Sequence, residues 1–198
     1  MSRQYSFADR LLGEVQNALI TVFAEPTSAA RANPSDTVEE EPLSVEERRE
    51  SAGFMRVNHT GEVCAQALYR GQAWYAKNPE VCEFLAEAVD EEQDHLLWCH
   101  QRLVQLESHR SFLNMYWYTH SFFLGWLAGR VGDDWSLGFV EETEVQVGRH
   151  LQGHLEKLSK QDKKSLAIIE QMAVDEAEHA DTAKNLGAKD LPPWIRSL

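Results

Sequence analysis

Two Glu-x-x-His units punctuate the sequence, Glu92-Gln93-Asp94-His95 and Glu176-Ala177-Glu178-His179. Residues three apart share a helix face, so each carboxylate and imidazole can address one point in space. Alone, such a unit is ordinary surface charge in an acidic helical chain. Here each follows a further glutamate at nearly the same interval: thirty positions separate Glu62 from Glu92, and thirty-two separate Glu144 from Glu176. That interval accommodates one helix, a short connection and the return of an antiparallel neighbour. The pattern is a duplicated helical hairpin, in which Glu144 stands at the near-equal interval with Glu141 and Glu142 beside it. Four carboxylates and two imidazoles from four helices match the bundle arrangement of a di-iron or di-manganese centre. The carboxylates balance two divalent ions, and imidazole suits iron better than magnesium or calcium.

Residues beside these six bear on the same chemistry. Glu91 and Asp175 each precede a ligand glutamate and are placed to accept the second N–H of a ligating histidine across the bundle. His150 and His154 form a His-x-x-x-His pair without the acid that accompanies it in zinc sites, so a solvated position or, for His150, a supporting one near the centre is expected.

The elements that must position these groups are helical throughout. Apolar residues at Phe7, Leu11, Val15, Leu19 and Val22 predict an amphipathic helix over Tyr5 to Phe23. Residues 24–43 read as a linker, with Pro26, Pro34, Pro42 and the acidic run Glu39-Glu40-Glu41. Ser44-Val45-Glu46-Glu47 is a capping box that opens a helix reaching about Lys77. Asn78-Pro79 starts the next, through Leu103. Ser111 to Gly129 is a very apolar third segment; further helices span about Trp135 to Leu158 and Asp162 to Leu186, with Gly187 as a stop. The prediction is an all-α chain with an N-terminal amphipathic helix (1–23), a linker (24–43), a four-helix metal-binding bundle (44–190) and a non-helical tail (191–198).

Composition narrows the function. The formal charge of −13, from 32 acidic against 19 basic residues, argues against nucleic-acid partners, which demand a basic footprint. Cys64, Cys82 and Cys99 lack metal-knuckle or disulfide-framework spacing and are expected to pack as small hydrophobes in a reducing compartment. No secretory or transit signal is visible at the N-terminus. Nineteen residues without formal charge lie between Arg110 and Arg130, including Phe112, Tyr116, Trp117, Tyr118, Phe122, Phe123 and Trp126. Asn114, Thr119, His120 and Ser121 make this an unattractive membrane span, whereas its aromatic content suits an interfacial helix or an apolar tunnel wall.

At these residues the sequence resembles the demethoxyubiquinone hydroxylase family. The run Arg56-Val57-Asn58-His59-Thr60-Gly61-Glu62 resembles its first-ligand motif, and the likeness continues through Glu92-Gln93-Asp94-His95, Glu144 to His154, and Asp175 to His179. The opening Tyr5-Ser6-Phe7-Ala8-Asp9-Arg10-Leu11-Leu12 is similar to bacterial members. Some members carry a tyrosine directly after the histidine matching His150; this chain has Leu151, so a redox role of that tyrosine does not transfer. The resemblance implies a ferritin-like bundle and a monooxygenase hydroxylating the ring of a polyprenyl benzoquinol in ubiquinone biosynthesis. It also implies two Fe ions per subunit held by Glu62, Glu92, His95, Glu144, Glu176 and His179, with O2 as oxidant and NAD(P)H as ultimate reductant. No glycine-rich nucleotide fold is visible, so the reductant is expected to bind transiently or act through the quinone or a partner. A peripheral position on the cytoplasmic side of a bacterial cell membrane is implied, with Phe112 to Trp126 against the bilayer, as are assembly partners in quinone biosynthesis. The alternative is a ferritin-like iron-handling or peroxide-scavenging protein; a tRNA-hydroxylating di-iron enzyme is disfavoured by the charge, and bound iron would rule out an inert scaffold.

Overall fold

The computed structural model describes residues 6–25 and 30–196, and every regular element among them is helical. These are α1 (Phe7–Phe23), α2 (Val45–Ala73), α3 (Pro79–Gln105), α4 (Asn114–Val131), α5 (Asp133–Lys157), α6 (Lys163–Asn185) and the single turn α7 (Pro193–Arg196). Tyr5, the linker's Pro26 and the last two residues of the expected tail lie outside the described residues. Helices α2, α3, α5 and α6 make the four-helix bundle, with α2 packed on α3 and α5 on α6.

Helix starts follow local chemistry. Ser44 accepts the Glu47 N–H while the Glu47 carboxylate accepts the Ser44 N–H, and Asn78 accepts the Glu80 N–H ahead of Pro79. A second capping box, Ser6 with Asp9, opens α1. Three expected boundaries moved. Helix α2 stops at Ala73 instead of near Lys77, because the Lys77 and Asn78 N–H groups donate to the Asp133 carboxylate at 3.2 and 2.8 Å and shape a turn. Helix α4 starts at Asn114 instead of Ser111, whose hydroxyl accepts the Leu113 N–H. The tail is not free of helix: Pro193 begins α7, and the Arg196 guanidinium donates to the Leu191 carbonyl.

The bundle interior is layered. One apolar cluster joins Met55, Trp98, Leu103, Leu151, Ile168, Ile169 and Met172. A second joins Tyr69, Leu85, Ala88, Leu137, Val140 and Ala183. The positions 62, 92, 95, 144, 176 and 179 fall between these clusters on every one of the four helices, so an apolar plug closes the ligand layer at each end. Burying such side chains contributes about 1.5–3 kcal/mol apiece and keeps water from the polar layer.

Helix α4 lies outside this bundle, pressed against α2. A Cβ on Gly71 would stand 2.3 Å from the Phe122 carbonyl oxygen, and one on Gly125 would stand 2.1 Å from that of Leu68, so only glycine lets these backbones meet. Helix α1 rests on α2 and α4, and Arg110 donates to the Ala24 carbonyl at 2.8 Å past its C-terminal end. Its apolar stripe does not face the core as amphipathy alone would place it: Phe7, Leu11, Val15 and Leu19 are exposed, and only Val22 is buried. Cys82 is likewise exposed, contrary to its expected packing; Cys99 is buried and Cys64 half-buried.

Residues 30–43 carry no helix, yet they are anchored to the bundle. The Asp94 carboxylate accepts the Ala30 and Arg31 N–H groups, Asn33 donates to Gln101 at 2.7 Å, and Glu40 meets Arg102 at 2.9 Å. The expected linker is in this part a strap laid across α3.

Candidate metal centre

Each hairpin brings its groups inward by helical periodicity. Glu62 projects from α2, Glu92 and His95 from α3, Glu144 from α5, and Glu176 and His179 from α6; all six are buried. They form two overlapping quartets, Glu62–Glu92–His95–Glu176 and Glu92–Glu144–Glu176–His179, within each of which one ligand atom per residue lies within 4.8 Å of the others. Glu92 and Glu176 belong to both quartets, so each could serve two metal positions. Glu62 and Glu144 then belong to one position each.

The imidazoles face the carboxylates through Nδ1. His95 Nδ1 is 3.0 Å from Glu92, 3.5 Å from Glu176 and 3.6 Å from Glu62. His179 Nδ1 is 3.3 Å from Glu176 and 3.7 Å from Glu92. Both Nε2 atoms point away from the centre, to Asp175 at 2.8 Å from His95 and to Glu91 at 3.0 Å from His179. A carboxylate behind Nε2 keeps the proton there and leaves the Nδ1 lone pair for a metal.

The charges in this layer are unstable without a cation. Burial, with the charges of Glu176 and Glu62 beside it, pushes the Glu92 carboxyl well above the carboxylate range. Burial and Glu176 do the same to Glu144. Burial would raise Glu176 too, but the close imidazoles of His179 and His95 outweigh it and hold that carboxyl low. Burial opposes the charging of His179, yet the Glu176 carboxylate beside it and the Glu92 charge raise it to about 9. For His95, contacts with Asp175, Glu176, Glu62 and Glu92 likewise overcome burial and raise it. Protons thus occupy the layer where dications would compete for the same atoms. Glu92 Oε1, Glu144 Oε1, Glu176 Oε2 and His179 Nδ1 are buried without a hydrogen-bond partner. Such orphaned acceptors fit a metal pair better than any protein donor at hand.

A cavity of about 690 Å³ leads to this layer between α2, α4 and α5, with Glu62 in its wall. Asn58, Trp117, Thr143, Gln146 and His150 also line it. His150 is exposed there and packs edge-on against buried His154 at 4.1 Å, so it borders the approach and touches none of the six. Leu151, beside it, is core.

Residues 49–197 match the family described as ubiquinone biosynthesis protein COQ7. The chain belongs to this family. Three relatives of the COQ7 family chain carry the name 3-demethoxyubiquinol 3-hydroxylase. That of Xanthomonas oryzae pv. oryzae is 53% identical over 194 residues, covering 98% of this chain and 89% of the relative. That of Coxiella burnetii is 50% identical over 197 residues, covering 100% and 91%. That of Nitrosococcus oceani is 48% identical over 196 residues, covering 99% and 92%. The COQ7 match begins inside α2, whereas these alignments take in nearly the whole chain, so α1 and the strap fall within the shared length.

Sequence reasoning missed Arg31. It sits in the strap, with its guanidinium on Asp94 at 3.0 Å and on Asp175 at 2.9 Å. The one signal available was that no other basic residue occurs between Arg10 and Arg48.

Proposed function

We propose that this chain is a 3-demethoxyubiquinol 3-hydroxylase, converting a ring C–H of a polyprenyl demethoxy-benzoquinol to C–OH with an iron pair held by Glu62, Glu92, His95, Glu144, Glu176 and His179. The observation carrying this reading is the sharing of Glu92 and Glu176 between two buried quartets at the end of a cavity large enough for a quinol ring. Bound iron would supply the electrons and Lewis acidity that dioxygen activation requires. One atom of O2 enters the ring and the other leaves as water; two electrons come from the C–H bond and two from NAD(P)H, through transient binding, the quinone itself or a partner.

The protein's own side chains divide the remaining work. Glu62 stands both in the ligand layer and in the cavity wall, so a ring entering beside Trp117 and Asn58 arrives at this carboxylate. The apolar plugs exclude bulk water from the reacting layer. Asp175 and Glu91 hold the imidazole tautomers.

Substrate delivery is assigned to the apolar exterior. Helices α1 and α4, with the turn that precedes α4, expose Phe7, Leu12, Phe23, Phe112, Tyr116, Phe123 and Leu127, with Phe112 at 88% and Phe7 at 71%. Between them runs an apolar groove of about 360 Å³ lined by Leu11, Val15, Tyr118, Phe122 and Trp126. Monomeric proteins rarely leave such patches bare, and interfacial helices carry this aromatic and aliphatic content. Among the described residues no helix is long and apolar enough to cross a membrane. A peripheral seat on the cytoplasmic side of the bacterial cell membrane, α1 and α4 toward the lipid, lets the tail stay apolar while the ring turns inward.

The test is anaerobic iron loading, then O2, NADH and a short-chain demethoxy-quinone, with mass spectrometry of the product. A gain of one oxygen atom supports the hydroxylase. Iron oxidation with unmodified quinone would overturn it in favour of an iron-handling or peroxide-scavenging protein. Liposome co-sedimentation tests the seat, and absence of binding at every salt concentration would remove it.

A further inference from the structure

The two imidazoles are supported unequally, and the difference traces to one side chain of the strap. Arg31 Nη1 lies 2.9 Å from Asp175 Oδ2, the oxygen that also stands 2.8 Å from His95 Nε2, and Arg31 Nη2 is itself 3.4 Å from that Nε2. Arg31 Nε lies 3.0 Å from Asp94 Oδ2, and the same carboxylate accepts the Ala30 and Arg31 backbone N–H groups at 2.7 and 3.2 Å. The guanidinium carbon sits 5.0 Å from the centre of the Trp98 ring, which also packs against the His95 imidazole at 5.4 Å between centroids. Gln171 donates to the remaining oxygen of Asp175 at 2.9 Å. Both oxygens of this buried carboxylate are therefore engaged, and its plane is fixed. Behind His179 stands Glu91, whose side chain is 44% exposed; Arg31 reaches it only through its charge, and among the described residues no lysine or arginine lies in ion-pair contact with it.

We propose that Arg31 is a positioning residue: reaching from the strap, it locks Asp175 and thereby holds the His95 imidazole with Nδ1 toward the carboxylates, making the His95 metal position the firmly held one and the His179 position the exchangeable one. This rests on the iron reading given above. The physical reason is geometric. A planar guanidinium joining two carboxylates on neighbouring helices leaves each fewer orientations than a point charge would. A hydrogen bond behind a ligating histidine commonly changes metal affinity by roughly 10–100-fold, and a residue acting through that bond belongs near the lower end. The same contacts tie the order of residues 30–31 to the metal centre, since their N–H groups and the Arg31 side chain share Asp94 while Arg31 also holds the Asp175 behind His95.

The experiment uses the full chain loaded anaerobically with ⁵⁷Fe(II), followed by Mössbauer spectroscopy and timed iron release to a chelator. The wild type is expected to hold two irons and release them in two phases. Arg31→Ala is expected to speed the slower phase about tenfold, as that range implies, and to shift one quadrupole doublet while leaving the other in place. Arg31→Lys restores part of the loss, because it keeps the charge without the fork. Asp175→Asn shifts the same doublet, and adding Arg31→Ala to it changes release little further. Arg31→Gln carries the same comparison should the alanine variant fail to fold. Unchanged release and doublets in the variants, or equal shifts of both doublets, overturn the proposal. A wild type that takes up no iron pair would instead overturn the iron reading beneath it.

Discussion

The hairpins α2–α3 and α5–α6 deliver the same ligand types in the same order, yet their surroundings differ at every step. On the first, Glu62 opens to the cavity of about 690 Å³, α2 carries α4 on its outer side, and His95 is backed by a buried carboxylate under the strap. On the second, Glu144 is buried away from that cavity, and His179 is backed by a half-exposed carboxylate and flanked by the edges of Tyr69 and Phe84 at 6.5 and 6.4 Å. A repeated motif therefore supplies the same ligand types twice, while the unrepeated additions, α4 and the strap, set which carboxylate opens to the cavity and which imidazole is backed by a buried acid.

The largest expected effect breaks the symmetry at its glutamates. Glu144→Ala is expected to lower bound iron from two per chain toward one and to abolish hydroxylation, read by elemental analysis and product mass. Because burial and Glu176 leave this carboxyl strained toward its neutral form, the metal-free variant should melt higher than the metal-free wild type. Unchanged iron occupancy would take Glu144 out of the centre.

A second contrast concerns the added helix. Gly125→Val drives a side chain into the Leu68 carbonyl and should cost about 3 kcal/mol or more, seen as a lowered Tm. Gly153→Ala on α5 meets nothing within 4 Å and should stabilise by about 0.5–1 kcal/mol through helix propensity. Equal effects would mean that α4 is not seated on α2 as described.

Next come the carboxylates behind the imidazoles. Asp175→Asn is expected to weaken iron binding by about 10–100-fold. Glu91→Gln should cost several-fold less, since its half-exposed side chain is screened by water. Chelator competition at fixed pH measures both, and the reverse order would invert the assignment of firm and exchangeable positions.

The smallest effect is a pH dependence outside the ligand set. Burial, then the charges of Arg110 and His100, lowers His59 to about 3 on the first hairpin. Burial, then His150 and Lys157, lowers His154 to about 4 on the second. The unfolded chain takes up these protons near pH 6.5 while the native one refuses them, so their contribution is complete above 6.5 and declines as pH falls toward 4 and then 3. In His154→Phe, which keeps a ring beside Phe54, Tm should fall less steeply than the wild type's between pH 6.5 and 4. Parallel curves would show that His154 is not held neutral.

The bundle was legible because its signals are local: Ser44 with Glu47, Asn78 before Pro79, and ligands three apart on one helical face. The near-equal intervals from Glu62 to Glu92 and from Glu144 to Glu176 carried the hairpin repeat for the same reason. What escaped depends on partners distant in sequence. Periodicity finds the apolar stripe of α1 but not whether a partner covers it, and most of that stripe faces outward. Arg31 meets Asp94 and Asp175 from a non-helical segment, where no period exists to mark it. Gly71 and Gly125 read as unremarkable helix residues until the backbone of the opposing helix is seen against them.

That glycine contact has a mechanical consequence. Gly125 touches α2 at Leu68, six residues from Glu62, or about 9 Å along a helix rising 1.5 Å per residue. With no side chain between the two backbones there is no compliant layer to absorb motion. Whatever depth α4 takes up against its surroundings, Glu62 takes up with it at a constant offset. The outer helix and the Glu62 layer are thus stiffly coupled, and a shift of α4 along α2 would be felt at Glu62 rather than absorbed between them.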